Sequence, residues 1–311
     1  MQKYIRIARP DHWIKQLFIL PGIVVAVLLT EVSYQDLKIP VLICGFLGTC
    51  LIASANYVIN EWLDAPFDRY HPTKKNRPAV SEGMKKHLVY LEYAILALAG
   101  LALGIFVNRY FFAMLLWLLF MGILYNVPPV RTKDLPYLDV LSESVNNMIR
   151  LLLGWFMVIE KALPPSSILI GYWMTGAFLM AVKRFAEYRM IADPERAGLY
   201  RKSFFSYSEK TLLASSFFYA LIANFSIGVF LVKYRIEYVI CVPFIFFLFS
   251  YYIVIAYKSD SAAQKPEKLF REKKLMLIVA AVILLLLFCT LVDMPFLDTL
   301  SAHELIRLGS D

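Results

Sequence analysis

The sequence predicts an all-α polytopic membrane protein, and three observations carry that expectation. Of 311 residues, 59% are hydrophobic and only 18% are charged; soluble domains run at roughly 45–50% apolar and about 25% charged. The apolar residues fall in runs of about 20, the length a helix needs to cross hydrocarbon, and nine such runs would absorb the surplus. The runs lack the period-two alternation of a barrel strand, and in lipid only helices and closed barrels satisfy their own backbone groups. The composition excludes a soluble globular enzyme, a disordered chain, a collagen and a coiled coil.

Nine helices are expected, at about 17–33, 40–63, 88–107, 109–127, 138–159, 167–187, 211–233, 236–257 and 272–292. The first follows a polar, aromatic segment, MQKYIRIARPDHWIKQ, and no small-residue cleavage site accompanies it, so no removable signal peptide is expected. The second ends in NYVINEWLDAPFDRYHPTKKNRP, where the hydropathy collapses. A tight turn at Asn108-Arg109 separates the third from the fourth. The fifth carries a polar stripe on an apolar background. The sixth ends in FLMAVKRFAEYRM, and the last three are nearly unbroken apolar runs. No low-complexity linker, repeat or composition shift divides the chain, so residues 1–311 are expected to form one domain.

Net charge is +8, and its distribution matters more than its sum. With the N-terminus on side one, that side receives 25 of the 32 Lys and Arg, the other side six, and Arg150 falls within a helix. Basic loops orient membrane spans. The N-terminus is therefore expected in the cytoplasm and the C-terminus on the far side, with no nucleic-acid partner needed to explain the charge. Cys44, Cys50, Cys241 and Cys289 all lie inside apolar runs and read as small core residues.

Orientation does not require acids, yet acids cluster with the cations at three places. Asn60, Asp64 and Asp68 follow one another at four-residue steps, which places three oxygen ligands on one helical face. Pro66 is expected to break the ladder, leaving Asp68 where the helix opens into the loop. Oxygen donors without His or Cys suit a hard cation such as Mg²⁺, which takes one or two carboxylates and fills its shell with water and substrate phosphate. Arg69, Lys74, Lys75 and Arg77 follow at once, as a metal-bound diphosphate needs. A solvated loop with helix-end acids is the plainer alternative, and His71 reads as a loop cap rather than a base.

In the fifth helix, Asp139, Glu143, Asn146, Arg150 and Gly154 form one stripe. A guanidinium at mid-helix costs at least about 2.5–3.5 kcal/mol and marks a candidate functional position. A structural tie from Arg150 to Glu143 or Asn146 is the alternative. Arg131 and Lys133 precede this helix at the cytoplasmic mouth. In the sixth helix Lys183 and Glu187 are four apart and able to pair, with Arg184 and Arg189 pointing elsewhere; Arg201, Lys202 and Tyr207 lie in a segment that could order over a site. All three clusters gather at one membrane face. A transporter would place its charges near the midplane, in matched halves.

These residues resemble the UbiA superfamily of intramembrane prenyltransferases, and within it the decaprenyl-phosphate phosphoribosyltransferase branch. The resemblance rests on RPDHWIKQ (Arg9, Trp13, Lys15), NEWLDAPFDRYHPTKKNRP, MIRLLLG (Arg150, Gly154) and KRFAE (Lys183, Arg184, Glu187). Glu61 stands where that branch has Asp, YNVPPVRTKD is closer to other branches, and Asp139-xxx-Glu143 replaces a DxxxD. The resemblance implies nine helices around a central cavity open to the cytoplasm, in the plasma (inner) membrane. It implies Mg²⁺ on Asn60, Asp64 and Asp68, with Asp64, Asp68 and Arg150 catalytic. Lys15, Asn60, Lys74, Arg77, Arg131, Lys133, Asp139, Glu143, Asn146, Lys183, Arg184 and Glu187 would bind substrates, with Lys183, Arg184 and Glu187 on the ribose 5-phosphate and hydroxyls. The implied partners are phosphoribosyl diphosphate and a polyprenyl phosphate. Prenyl transfer to a small acceptor, and lipid or anion transport without bond chemistry, are the alternatives.

Overall fold

The computed structural model describes residues 2–30, 32–258, 261–264, 269 and 271–300, with helices and loops but no strand among them. The charges expected on the two sides at Lys265, Lys268 and Arg307, and the C-terminus itself, lie outside these residues.

Helix α1 (Gln2–Ile7) leads through a 3₁₀ stretch (Pro10–Ile19) into α2 (Leu20–Leu29). The first span is thus not one α-helix over 17–33. Pro21 has no N–H to give the Leu17 carbonyl, which accepts from Leu20 instead; the Phe18 carbonyl takes the hydroxyl of Tyr172 at 2.9 Å. Helix α3 (Ile39–Asp68) runs through Pro66 rather than breaking there, and Asp68 is its last residue. One turn from the end, few ladder bonds remain for a proline to remove.

The short α4 (Pro78–Ser81) precedes α5 (Lys86–Val107) and α6 (Arg109–Asn126). Between these two, Asn108 caps α6 by accepting from the Phe111 N–H at 2.8 Å. Then follow α7 (Leu138–Phe156), α8 (Ser166–Ile191), α9 (Pro194–Tyr200), α10 (Glu209–Tyr234), α11 (Val242–Ala256) and α12 (Lys273–Leu291). A capping box between Ser208 and Thr211 starts α10.

Among the described residues eight helical stretches are long and apolar enough to cross a membrane. The helix expected fifth is present as α7, but its charges remove it from that number. Leu98, Phe106, Phe225, Leu277 and Leu291 are 68–84% exposed, as suits a surface facing lipid and not water.

Helix α7 joins the two halves of the bundle. Its Ile149, Leu152, Leu153 and Trp155 pack with α2, α3 and α6, and its Val140 packs with α8, α10 and α11. Lipid tails are as apolar as leucine, so helix association here rests on close packing. Gly154 shows how close. A Cβ there would stand 2.1 Å from the Ile19 carbonyl, and one on Gly22 of α2 would stand 2.0 Å from the Leu151 carbonyl. Gly154 therefore serves this packing and not the polar stripe in which it was grouped.

Gly154→Val should lower the thermal midpoint of the detergent-purified protein, by an overpacking cost of about 1–3 kcal/mol. Gly228→Ala, where nothing lies within 4 Å, should leave it almost unchanged in the same melt.

Candidate active site

The polar residues of α3, α7 and α8 converge on one cavity of about 280 Å³, walled also by the 3₁₀ stretch after α1, by α6 and by the loops around Lys74 and Tyr200. Of the side chains singled out from sequence, Lys15, Asn60, Asp64, Lys74, Arg77, Glu143, Asn146, Arg150, Lys183 and Arg184 line it. Asp68, Arg131, Lys133, Asp139 and Glu187 do not; each is buried behind the wall. Sequence reasoning missed Arg9, His12, Tyr57, Tyr125, Asn126, Asn147 and Tyr200 as lining residues. Arg9 sat in a quoted motif, Asn147 beside Asn146, and Tyr125-Asn126 at the head of YNVPPVRTKD, so proximity to a motif was the available signal.

The wall has two opposite electrical layouts. At Asp64 the carboxylate faces the cavity and cations stand behind it. Its Oδ1 accepts from Arg131 Nη2 at 2.9 Å and from Lys133 Nζ. Arg131, in the left-handed region at φ 31°, also reaches the Asn126 carbonyl at 3.0 Å and Asp134 at 3.2 Å. Burial pushes Lys133 down to about 8, against the pull of Asp64.

Around Lys74, Arg77 and Arg184 the layout is reversed, with cations in front and carboxylates behind. Glu187 accepts from Lys74 at 2.5 Å, from the Tyr200 hydroxyl at 3.0 Å and from Arg184 at 3.3 Å, with His71 Nε2 3.4 Å away. Asp139 takes the Tyr207 hydroxyl at 2.7 Å, Ser203 at 3.2 Å and Arg184 at 3.3 Å. Asp68 holds Arg77 at 2.6 Å, and Glu61, the departure from the branch pattern, holds Arg9 at 2.5 Å. Glu187 thus pairs with Arg184 and Lys74, not with Lys183 as spacing suggested. Lys183 makes no hydrogen bond or ion pair among the described residues. Arg150 is tied to Gln16 at 2.9 Å and Asn147 at 3.2 Å, not to Glu143 or Asn146.

Two loops are fastened together over these groups. His71 Nδ1 accepts the Thr73 and Lys74 N–H groups, each at 3.2 Å, so His71 does cap its loop. Its ring meets that of Tyr200 edge-on at 4.6 Å, and Arg196 donates to the Tyr70 carbonyl at 3.1 Å. Burial pulls Lys74 from the usual lysine range to about 8, although Glu187 opposes this.

The donor set suits a hard divalent cation shared with a substrate. Asn60 gives its Nδ2 to Asn126 at 2.5 Å and to Asp64 Oδ2 at 3.3 Å, and its Oδ1 has no partner among the described residues. Among the described residues Asp64 Oδ2 has only that long contact. Among the described residues no three His, Cys, Asp or Glu gather into a cage, and Mg²⁺ needs none when phosphate completes its shell.

Fold and site together define an intramembrane helical protein with a chamber lined mainly by cationic side chains among its charged groups. The UbiA prenyltransferase family model matches residues 19–278, and the chain belongs to that family. It is 29% identical over 211 residues to a decaprenyl-phosphate phosphoribosyltransferase of Mycolicibacterium smegmatis, covering 67% of this chain and 63% of the relative. It is 26% identical over 198 residues to a lycopene elongase/hydratase of Haloarcula japonica, covering 63% and 64%. The match thus spans less than two thirds of either relative. A UbiA homologue of Archaeoglobus fulgidus, solved with GPP and Mg²⁺, superposes with a TM-score of 0.69 at 22% identity, over 93% of this chain and 100% of that one. The same homologue has been solved with Cd²⁺.

Anion binding should weaken as Lys74 loses its proton. In a kcat/KM profile, which reports the free protein, activity should fall as pH rises through about 8, the value to which burial brings Lys74. Lys74→Arg, charged at every accessible pH, should flatten that limb. An unchanged alkaline fall in Lys74→Arg would exclude this lysine as its source.

Proposed function

We propose that this protein transfers a 5-phosphoribosyl group from phosphoribosyl diphosphate to a polyprenyl phosphate, with Mg²⁺, at the cytoplasmic face of the membrane. One observation carries the reading. Among the described residues, eight Lys and Arg side chains line the cavity against two carboxylates, Asp64 and Glu143. A prenyl diphosphate presents two phosphoryl groups. The pentosyl donor and the lipid acceptor together present four, which matches the larger cationic surface.

In this reading Asn60 and Asp64 would hold the metal, which would supply positive charge to neutralise the leaving diphosphate, while Asp68 behind the wall aims Arg77. Lys74 and Arg77 take diphosphate oxygens from the loop side. Lys183 and Arg184 take the 5-phosphate, and Lys15 and Arg150 the acceptor phosphate. The bond from C1 to the diphosphate oxygen breaks, its electron pair leaving with diphosphate, and a bond from C1 to an acceptor phosphate oxygen forms. Fixed cations act best where this negative charge develops. The acceptor is already an anion at neutral pH, so no general base is required. The 25:6 division of Lys and Arg supports a cytoplasmic mouth and N-terminus.

Prenyl transfer to a small acceptor is the second reading, favoured by the faces of Tyr57, Tyr125 and Tyr252 in the same wall, which suit an allylic cation.

Purified protein with Mg²⁺, labelled phosphoribosyl diphosphate and undecaprenyl phosphate should yield a labelled lipid and free diphosphate. Chelation should abolish the product, and Asp64→Ala should lower turnover by about 10²–10³-fold. Transfer from a prenyl diphosphate alone would favour the second reading, and lipid movement without diphosphate release would mark a transporter.

A further inference from the structure

Glu143 fits neither electrical layout of the wall. Asp64 faces the cavity with two cations behind it, and Asp68, Asp139, Glu187 and Glu61 stand behind cations. Glu143 faces the cavity with no ion pair among the described residues, and its one hydrogen bond comes from Asn146 Nδ2 at 3.5 Å. Asn146 is 8% exposed, and its Oδ1 is buried without a partner. Asn147 lies one residue on, its Oδ1 taken by Arg150 at 3.2 Å, which leaves its Nδ2 to donate.

Glu143, Asn146, Asn147 and Arg150 stand at i, i+3, i+4 and i+7, on one face of α7. Glu143 Oε1 and Asn146 Oδ1 are acceptors without donors among the described residues. A phosphate has no proton to give them at neutral pH and would be repelled by Glu143. A second metal ion would have to sit beside the Arg150 guanidinium on the same face. Hydroxyls suit the set, because each donates to a carboxylate or amide oxygen while accepting from an amide N–H. Vicinal hydroxyls on a five-membered sugar are held by a lone carboxylate in the same way at dinucleotide sites. Glu187, to which the family resemblance gave part of this task, already receives Lys74, Tyr200 and Arg184.

We propose that Glu143, flanked by Asn146 and Asn147, reads the 2- and 3-hydroxyls of a pentosyl donor and so sets the choice of a sugar diphosphate over a prenyl diphosphate. The proposal rests on the reading of the donor given above and assigns within it a specificity-determining residue. Removing Glu143 severs no ion pair among the described residues, so Glu143→Ala should fold, and Glu143→Gln keeps the side-chain shape as a second variant.

The test measures donor binding calorimetrically on the full-length protein in detergent with Mg²⁺ and without acceptor. The probes are phosphoribosyl diphosphate, its 2-deoxy and 3-deoxy forms, and geranyl diphosphate. Loss of a hydrogen bond to a charged group corresponds to about 10–100-fold in affinity. The unaltered protein should bind each deoxy donor about 20-fold more weakly than the parent. Glu143→Ala, which loses the partner of both hydroxyls, should bind the parent at least about 20-fold more weakly, favour it over the deoxy donors by less than about 3-fold, and bind geranyl diphosphate as before. Glu143→Gln should fall between. Equal losses for parent and deoxy donors in Glu143→Ala would overturn the proposal, as would an unaltered protein indifferent to the hydroxyls. Failure of the transfer assay with this discrimination intact sinks the reaction but not the hydroxyl site. Transfer without the discrimination sinks the site alone, and no binding of phosphoribosyl diphosphate sinks both.

Discussion

Everything in this cavity depends on holding like charges together in a medium that disfavours any charge. Two unit charges 4 Å apart interact by about 4 kcal/mol even at an effective dielectric of 20, so a bare cluster of lysines and arginines between apolar helices would push itself apart. The structure answers with carboxylates placed behind the cations. Glu187 stands behind Lys74 and Arg184, Asp139 behind Arg184, Asp68 behind Arg77, and Glu61 behind Arg9. Each pair keeps a cation charged, aimed and ordered before any ligand arrives, which lowers the reorganisation left for binding. Burying such pairs rarely stabilises a fold by itself; their value here is in position.

The same need explains the architecture of the loops that cover the cavity. Tyr200, Ser203 and Tyr207 come from the segment after α8, yet their hydroxyls end on Glu187 and Asp139. The acids that aim the cations thus also anchor the cover of the cavity. Lys74 and Arg77 descend from the loop after α3, and His71 shapes that loop by capping its own backbone. Helix α7 supplies the common frame, since it packs into both apolar cores and carries Glu143, Asn147 and Arg150 on its cavity face.

Much of this was legible before any coordinates. Apolar run length gave the spans, because hydrocarbon thickness is a fixed ruler. The four-residue steps from Asn60 and from Lys183 marked the helices that build the site, because a charge in an apolar run needs a partner or a function. Partner choice was not legible. Spacing suggested Lys183 with Glu187, but Arg184 and Lys74 took that carboxylate. Helical spacing names the residues that share a face and not those that reach in from other elements. Arg131 and Lys133 read as cavity cations, yet they stand behind Asp64, because the left-handed turn at Arg131 folds the chain back under α3. The polar stripe of α7 also divided by depth. Asp139 went to the loop anchor, Glu143 to the cavity and Gly154 to the contact with α2, a separation that needs the neighbouring helices to appear.

Membership of a family does not decide the donor, and the fold does not either. The archaeal homologue with 22% identity shares the bundle and was solved with a prenyl diphosphate, while a bacterial relative is a phosphoribosyltransferase by name. A scaffold that hosts both must hand the decision to a few side chains. A metal and a diphosphate are common to either donor, so Asp64 and Arg77 do not discriminate. What separates the donors is the group on the far side of the breaking bond, which is hydrocarbon in one and a polyhydroxylated ring with a further phosphate in the other. Hydrocarbon asks nothing of Lys183 or Glu143, and it would leave two charged groups facing it that have no ion pair among the described residues, at several kcal/mol for each such group buried dry. Under the proposed reading such a wall would penalise the prenyl chain more than it rewards the sugar, which is how a binding site achieves choice between donors that share one leaving group.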